Sequence, residues 1–379
     1  MNTSLMKKSF QDTGKAIRYH KKHILVSILA MVLLFGILCF CGGGYSFTYN
    51  SRTYDTADYE GFLALPFSML DDITSSDDLD TISDMVSVEY DNGRSGAAAI
   101  LSSPEDSDTL EIGGYDMNGL MKIVRKTNGL AVVLATWLLV ITWAIGFLNQ
   151  ETKGYQMEEL AKRFLMLVIG FIGVFIAMNL SFYIMNLGTG VAAEVADAAD
   201  AVLSSDSMEN AISKLKYEML TSGKKTTSGS TWEKLGWTLK NFTTSLGYAG
   251  EFFVAWIVTK VAMILIQFTC WSRAFELVIL AIFSPFAFAD VVDIHRIGMG
   301  SGSRYLKNIG SIALSGAIII LVVSMGKLVQ VDLIEFFNDS GTSFAEASAT
   351  LGDMALVALA TGGLCLKAPS LSKSVLGMG

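Results

Sequence analysis

Five long apolar runs dictate what this chain can become. Residues 24–41 read ILVSILAMVLLFGILCFC, residues 130–148 read LAVVLATWLLVITWAIGFL, and residues 164–187 read FLMLVIGFIGVFIAMNLSFYIMNL. Residues 251–289 and 309–330 are the other two. A bilayer's hydrocarbon core is about 30 Å thick, and a helix needs about 20 apolar residues to cross it. The runs therefore specify membrane-spanning helices, and 353–366 (DMALVALATGGLCL) adds a short last span or half-span. Composition agrees, with 51% of the 379 residues hydrophobic and 17% charged, a balance soluble domains seldom reach. The expected fold is an all-α polytopic membrane protein of about six to seven membrane segments, one of them broken or re-entrant, with an acidic extracytoplasmic loop region.

Charge divides the chain. Residues 1–23 carry six basic side chains (Lys7, Lys8, Lys15, Arg18, Lys21, Lys22) against Asp12. A basic flank ahead of an 18-residue apolar run without a small-x-small cleavage site reads as a signal anchor with its N-terminus in the cytoplasm. Residues 44–119 hold sixteen acidic side chains against Arg52 and Arg94, a local charge of −14 in a chain of net −8. Such a segment repels nucleic acid. It is rich in Ser and turn formers, and reads as irregular or β-like extracytoplasmic sequence. The expected divisions are 1–43 (basic terminus and anchor), 44–129 (acidic outer region), 130–189 (a hairpin of two spans), 190–250 (polar amphipathic helices, extracytoplasmic) and 251–379 (C-terminal membrane bundle).

The stretch 270–296, CWSRAFELVILAIFSPFAFADVVDIHR, is the hardest to place. As one helix, 251–289 would run about 58 Å at about 1.5 Å per residue, too long for one crossing. Pro285 lacks an N–H and disfavours helix just before itself. A break near Ser284-Pro285 is therefore expected, making 272–289 a re-entrant or bent segment; two full crossings are the alternative. Arg273 and Glu276, three apart, can pair on one helix face. Unpaired in the bilayer centre, each would cost about 2.5–3.5 kcal/mol. Asp290 marks the far margin. Charge bias places 290–308 inside, 331–352 outside and the Lys367/Lys373 tail inside, whereas Lys122, Arg125 and Lys126 on the outer side run against the scheme. Gly170 and Gly173 in the third span, and Ser311/Ser315 and Ala313/Ala317 further on, have the small-residue spacings that let helices approach closely.

Several chemistries lack their motifs. There is no GxxxxGK[ST] phosphate loop, no HExxH and no GxSxG elbow. The only histidines are His20, His23 and His295, and the four cysteines (Cys39, Cys41, Cys270, Cys365) have no metal-ligand spacing. The expectation is a protein that is not an enzyme, with no cofactor and no bound metal.

Two stretches together resemble a known family: the hairpin GLAVVLATWLLVITWAIGFLNQETKGYQMEELAKRFLMLVIGFIGVFIAMNLSFYIMNLGTGV, and WSRAFELVILAIFSPFAFADVV followed by GSRYLKNIGSIALSGAIIIL. Their order is a span pair joined by a short polar loop, a polar outer stretch, an Arg-x-x-Glu-apolar-Ser-Pro run, a basic linker and a small-residue span. This resembles the TrbL-like, VirB-type polytopic inner-membrane subunit of type IV secretion systems, over roughly residues 128–330, especially in the conjugative systems of Gram-positive bacteria. The anchor and the 44–119 region depart from that plan. The resemblance implies a structural channel or scaffold subunit in the cytoplasmic membrane, helping DNA–protein substrate outward. It implies as partners other secretion membrane subunits, secretion ATPases, further copies of itself, membrane lipid and, transiently, the transferred substrate. The rival is a self-contained transporter or channel for a small solute, which would show internal repeats and midplane charge pairs.

Overall fold

The structure, a computed structural model, describes residues 45–55, 67–71, 77–94, 97–101, 108–151, 157–202, 212–214, 216–217, 231–289, 301–340 and 344–378. The anchor at 24–41 and Asp290 lie outside the described residues. The elements in chain order are β1 (Ser46–Tyr49), β2 (Arg52–Asp55), α1 (Asp77–Val86), β3 (Val88–Asp91), α2 (Ala97–Leu101), β4 (Thr109–Ile112), β5 (Tyr115–Asp116), α3 (Asn118–Glu151), α4 (Met157–Val202), α5 (Thr231–Ala289), α6 (Ser301–Ser340), α7 (Phe344–Cys365) and α8 (Ala368–Val375). They fall into two compact units: residues 1–74, 206–257 and 333–353, and residues 75–205, 258–332 and 354–379.

In the first unit β1 and β2 form an antiparallel hairpin turned by Asn50 and Ser51, both with positive φ (+48° and +59°). That is the backbone a two-residue turn needs to match strand twist. Tyr49 stacks on Tyr217 with ring centroids 5.0 Å apart, and Tyr54 meets the same ring edge-on at 5.1 Å. Lys216 is buried against them, donates to the Tyr45 hydroxyl at 2.8 Å and pairs with Asp71.

The second unit contains most of the helical bundle. Residues 88–91 (VEYD) and 109–112 (TLEI) alternate apolar and polar side chains, and alternation of period two makes a strand with one buried face. Val88 and Tyr90 of β3 and Leu110 and Ile112 of β4 point inward, in register Val88↔Ile112 and Tyr90↔Leu110. Gly113 and Gly114, at φ +61° and +74°, turn the chain tightly into β5. The acidic segment is therefore not loop alone: a three-stranded sheet in the order β3-β4-β5 packs its inner face on α3, α4, α5 and α6. This adds β structure to the all-α expectation.

The free edge of β3 is closed by a helix. Asn186 of α4 accepts from Tyr90 N–H at 2.9 Å and donates to Tyr90 C=O at 2.7 Å. Thr189 accepts from Val88 N–H at 3.2 Å and donates to Val88 C=O at 3.0 Å. Two side chains three apart thus satisfy the four backbone groups that a neighbouring strand would otherwise take, removing an edge that invites foreign pairing. Arg125, one of the basic residues that strained the charge scheme, is also absorbed here, donating to the Asp108 carbonyl at 2.7 Å.

Four helices are long and apolar enough to cross a membrane: Asn118–Leu148, Leu160–Val202, Phe253–Ala289 and Gly302–Ile334. The bent pair Gly352–Cys365 and Ala368–Val375 raises the count to five. Six to seven is thus not the count among the described residues. The expected break at Pro285 does not occur either, because α5 is helical through it to Ala289. The bend lies instead between α7 and α8, at 54°. The divisions at 189/190 and 250/251 fall inside α4 and α5, which continue past them.

The four helices alternate in direction, and their contacts form a ladder. Gly146 of α3 meets Arg163 of α4, Gly173 meets Phe288 of α5, and Gly188 meets Ala313 of α6. Higher up, Gly326 of α6 meets Thr361 of α7, and Gly362 meets Ala262 of α5. Ala135, Leu139 and Val174, midway along the first hairpin, share a buried cluster with Ala289 at the end of α5 rather than with its middle. The apolar run of α5 is centred some 18 residues earlier, about 27 Å along a helix rising about 1.5 Å per residue. Gly352–Cys365, at about 21 Å by the same rise, is short for a full crossing. Cys365 and Ala368 share a buried cluster with Ile82 and Val86 of α1.

Candidate functional site

The polar chemistry inside the bundle gathers at two places on α5. At the first, Arg273 is fully buried without an acidic partner among the described residues. Its Nε donates to Ile312 C=O at 2.8 Å, Nη2 to Ala313 C=O at 3.0 Å and Nη1 to Val86 C=O at 2.6 Å. Val86 ends α1, so the guanidinium sits at the negative end of that helix's dipole, which favours a cation. Three charge-assisted bonds replace the expected ion pair, for Glu276 is exposed. Gly316 makes room: a Cβ there would come within 2.6 Å of both Arg273 Cζ and Nη2 and within 2.7 Å of Val86 Cγ1. Arg273 thus ties α5 and α6 to the junction of α1 and β3.

The second place explains why Pro285 does not break α5. A proline frees the carbonyl four residues earlier, here Ala281, and in an apolar interior that oxygen needs another donor. Ser284 Oγ donates to Ala281 C=O at 2.7 Å. Asn128 of α3 donates to Ile282 C=O at 3.0 Å and reaches Ala281 C=O at 3.4 Å. Tyr305 of α6 donates to Leu280 C=O at 2.9 Å, and its hydroxyl lies 2.8 Å from Ser181 Oγ on α4. Donors from three neighbouring positions therefore seal the turn, and the proline becomes a point where α3, α4, α5 and α6 are hydrogen-bonded together.

The remaining expected residues divide in the same way. Ser284 and Pro285 are buried in the sealed turn. Gly170 and Gly173 are buried on α4, and Gly173 takes the Phe288 ring, whose Cδ1 would lie 2.8 Å from an added Cβ. Ser311 and Ser315 are buried and donate within α6, to Asn308 C=O at 2.9 Å and Ile312 C=O at 2.6 Å. Ala313 and Ala317 are buried as well. These packing positions are spent within the one chain. Asn128, Ser181, Tyr305, Gly188 and Gly316 were not singled out from the sequence. Only a proline in an apolar run hinted that some side chain elsewhere had to donate.

At the interface between sheet and bundle, Tyr90 donates to Asp108 at 2.8 Å and stacks on Phe182 at 4.4 Å. Burial, and then the bond to the Asp108 carboxylate, push the Tyr90 phenol well above its ordinary value. At the other end of α4, Lys162 and Glu158 pair in solvent at 2.8 Å, holding the Glu158 carboxyl below its usual range. Among the described residues no group of three His, Cys, Asp or Glu could hold a metal ion. No family model, no curated protein and no solved structure matches the chain.

Proposed function

We propose that the chain is a structural channel or scaffold subunit of a conjugative type IV secretion machine. In this reading it resides in the cytoplasmic membrane of a bacterium with its N-terminus inside, and works beside secretion ATPases and other membrane subunits. It assembles in several copies and touches the DNA–protein substrate in passing. The sequence resemblance of the hairpin and of the Arg273-to-Pro285 run is its starting point. The observation that carries it further is how the buried polar groups are used. Arg273, Asn128, Ser181 and Tyr305 are engaged in joining helices to each other and to the extramembrane sheet. A self-contained solute transporter needs such groups turned toward a path, whereas a scaffold needs its elements fastened.

Deletion of the gene in a donor cell tests this. Loss of DNA transfer to recipients, restored by the full-length gene, is the expected result, together with recovery of a secretion ATPase on the purified protein. Unchanged transfer and no ATPase would refute the reading.

A further inference from the structure

Arg163 stands where α4 passes from water into hydrocarbon. Glu158 and Lys162, just before it, are exposed and paired, while Phe164, Leu165 and Val168, just after it, are large exposed apolar side chains. The apolar segment of α3 ends at Leu148 and that of α4 begins at Leu160. Arg163 is thus about 5 Å inside that limit at about 1.5 Å per residue, and a headgroup layer is about 5–8 Å deep. An arginine at such a boundary ordinarily extends its head outward to water. This one turns inward, with 8% of it exposed. It crosses to α3, where a Cβ on Gly146 would come within 2.8 Å of its Nη1. Trp143, one turn earlier on α3, stacks on Phe147 at 5.5 Å and meets Phe164 edge-on at 5.4 Å, so aromatic rings flank the crossing. The guanidinium forms no hydrogen bond or ion pair among the described residues, and its Nε is shut from water without an acceptor. The Trp143 indole N–H is shut in likewise. Arg273, equally enclosed, has three carbonyls to donate to. A buried cation without a counter-group is strongly unfavourable, so this corner calls for an anionic acceptor.

We propose that Arg163 holds the phosphodiester of a membrane phospholipid at a fixed place between α3 and α4. Phosphate oxygens accept charge-assisted bonds from a guanidinium, and the phosphodiester is the anion present at this depth of a bilayer. A free phosphate ion would have to leave water to reach the corner. A phospholipid is already there, and its acyl chains would lie along Ile141, Ile145, Leu148, Phe164 and Leu165, all exposed beside it. Gly146 is what lets the guanidinium lie flat against α3, so the cation is held in place before the lipid arrives. Lys162, the adjacent cation, is committed to Glu158. One charge therefore faces one charge, and the site reads the phosphate and not the alcohol attached to it. The inference does not rest on the secretion reading.

The test takes the full chain, purified in a mild detergent and washed free of lipid, and titrates lipid back under native mass spectrometry. Dioleoyl phosphatidylglycerol and dioleoyl phosphatidylethanolamine should each be retained as a tightly held copy, and dioleoylglycerol, which lacks the phosphate, should not. Arg163→Gln should weaken retention of both phospholipids about tenfold, the equivalent of about 1.4 kcal/mol. Gly146→Ala keeps the charge but sets a methyl against Nη1, and it should weaken retention as well. The titration of the unaltered chain decides the matter even if Arg163→Gln does not fold. Four results would overturn the proposal: no phospholipid held more tightly than dioleoylglycerol, retention unchanged in both variants, retention of one phospholipid but not the other, or a thermal midpoint raised as much by inorganic phosphate as by the lipids. A protein carboxylate as the true partner of Arg163 would give the first of these, and a free ion the last.

Discussion

Replacing Gly316 with alanine sets two effects against each other. On propensity alone the change favours helix α6 by about 1 kcal/mol. The new Cβ, however, would lie 2.6 Å from Arg273 Cζ and Nη2, and the guanidinium cannot move aside without breaking its bonds to Val86 and Ala313. Hydrogen bonds to charged groups are worth about 1.5–3 kcal/mol each, so losing two costs about 3–6 kcal/mol and the net effect is destabilising by about 2–5 kcal/mol. At about 2 °C per kcal/mol for a chain this size, the unfolding midpoint in detergent, followed by tryptophan fluorescence, should fall by about 4–10 °C. The sharper measurement is the double-mutant cycle with Arg273→Ala. Without the guanidinium the two closest clashes are gone, so Gly316→Ala should become neutral or stabilising by up to about 1 kcal/mol, a coupling of about 2–6 kcal/mol. Additive effects, or a Gly316→Ala protein as stable as the parent, would show that Arg273 is not held as described.

Three further outcomes follow from the geometry. Asn128→Leu leaves the Ile282 carbonyl without its side-chain donor and should cost about 1–3 kcal/mol, while adding Pro285→Ala, which restores a backbone N–H toward Ala281, should recover part of that loss in the same thermal assay. Asn186→Ala uncovers the N–H and C=O of Tyr90, so hydrogen exchange of a peptide spanning 86–92 should accelerate at least tenfold; unchanged protection would show that the strand edge is not held by α4. Tyr90 keeps its proton longer folded than unfolded, so its contribution to stability is full below its unfolded value of about 10 and is lost as pH rises through the higher folded one. Tyr90→Phe should therefore flatten the loss of stability above pH about 10, as read from midpoints across an alkaline series.

Much of the helical framework was legible because apolar length and charge are local properties of sequence. The runs at 130–148, 164–187 and 309–330 all lie within α3, α4 and α6. What was not legible depends on groups far apart in the chain. Pro285 reads as a break until Asn128 and Tyr305, 157 and 20 residues away, are seen to supply its donors. Arg273 and Glu276 read as a pair because spacing carries no information about Val86, 187 residues earlier. A bend was expected at the proline, but the 54° bend lies after Cys365, at the end of a 14-residue apolar stretch. Ser311, Ser315, Ala313 and Ala317 are buried, but no pattern in their own run named Gly188 or Arg273 as the neighbours of Ala313.

The closure of β3 by Asn186 and Thr189 bears on how the protein is made. The strand leaves the ribosome about 100 residues before the side chains that cover it, for Val88 and Thr189 are 101 positions apart. At about 5–20 residues per second of synthesis, its edge stays open for roughly 5–20 seconds. Within that interval α3 and most of α4 must be delivered to the membrane. The sheet can be completed only when α4 has emerged far enough to reach it, so correct insertion of the first hairpin is itself the step that removes the exposed edge. A delay in inserting α3 or α4 would leave that edge available to any neighbouring chain.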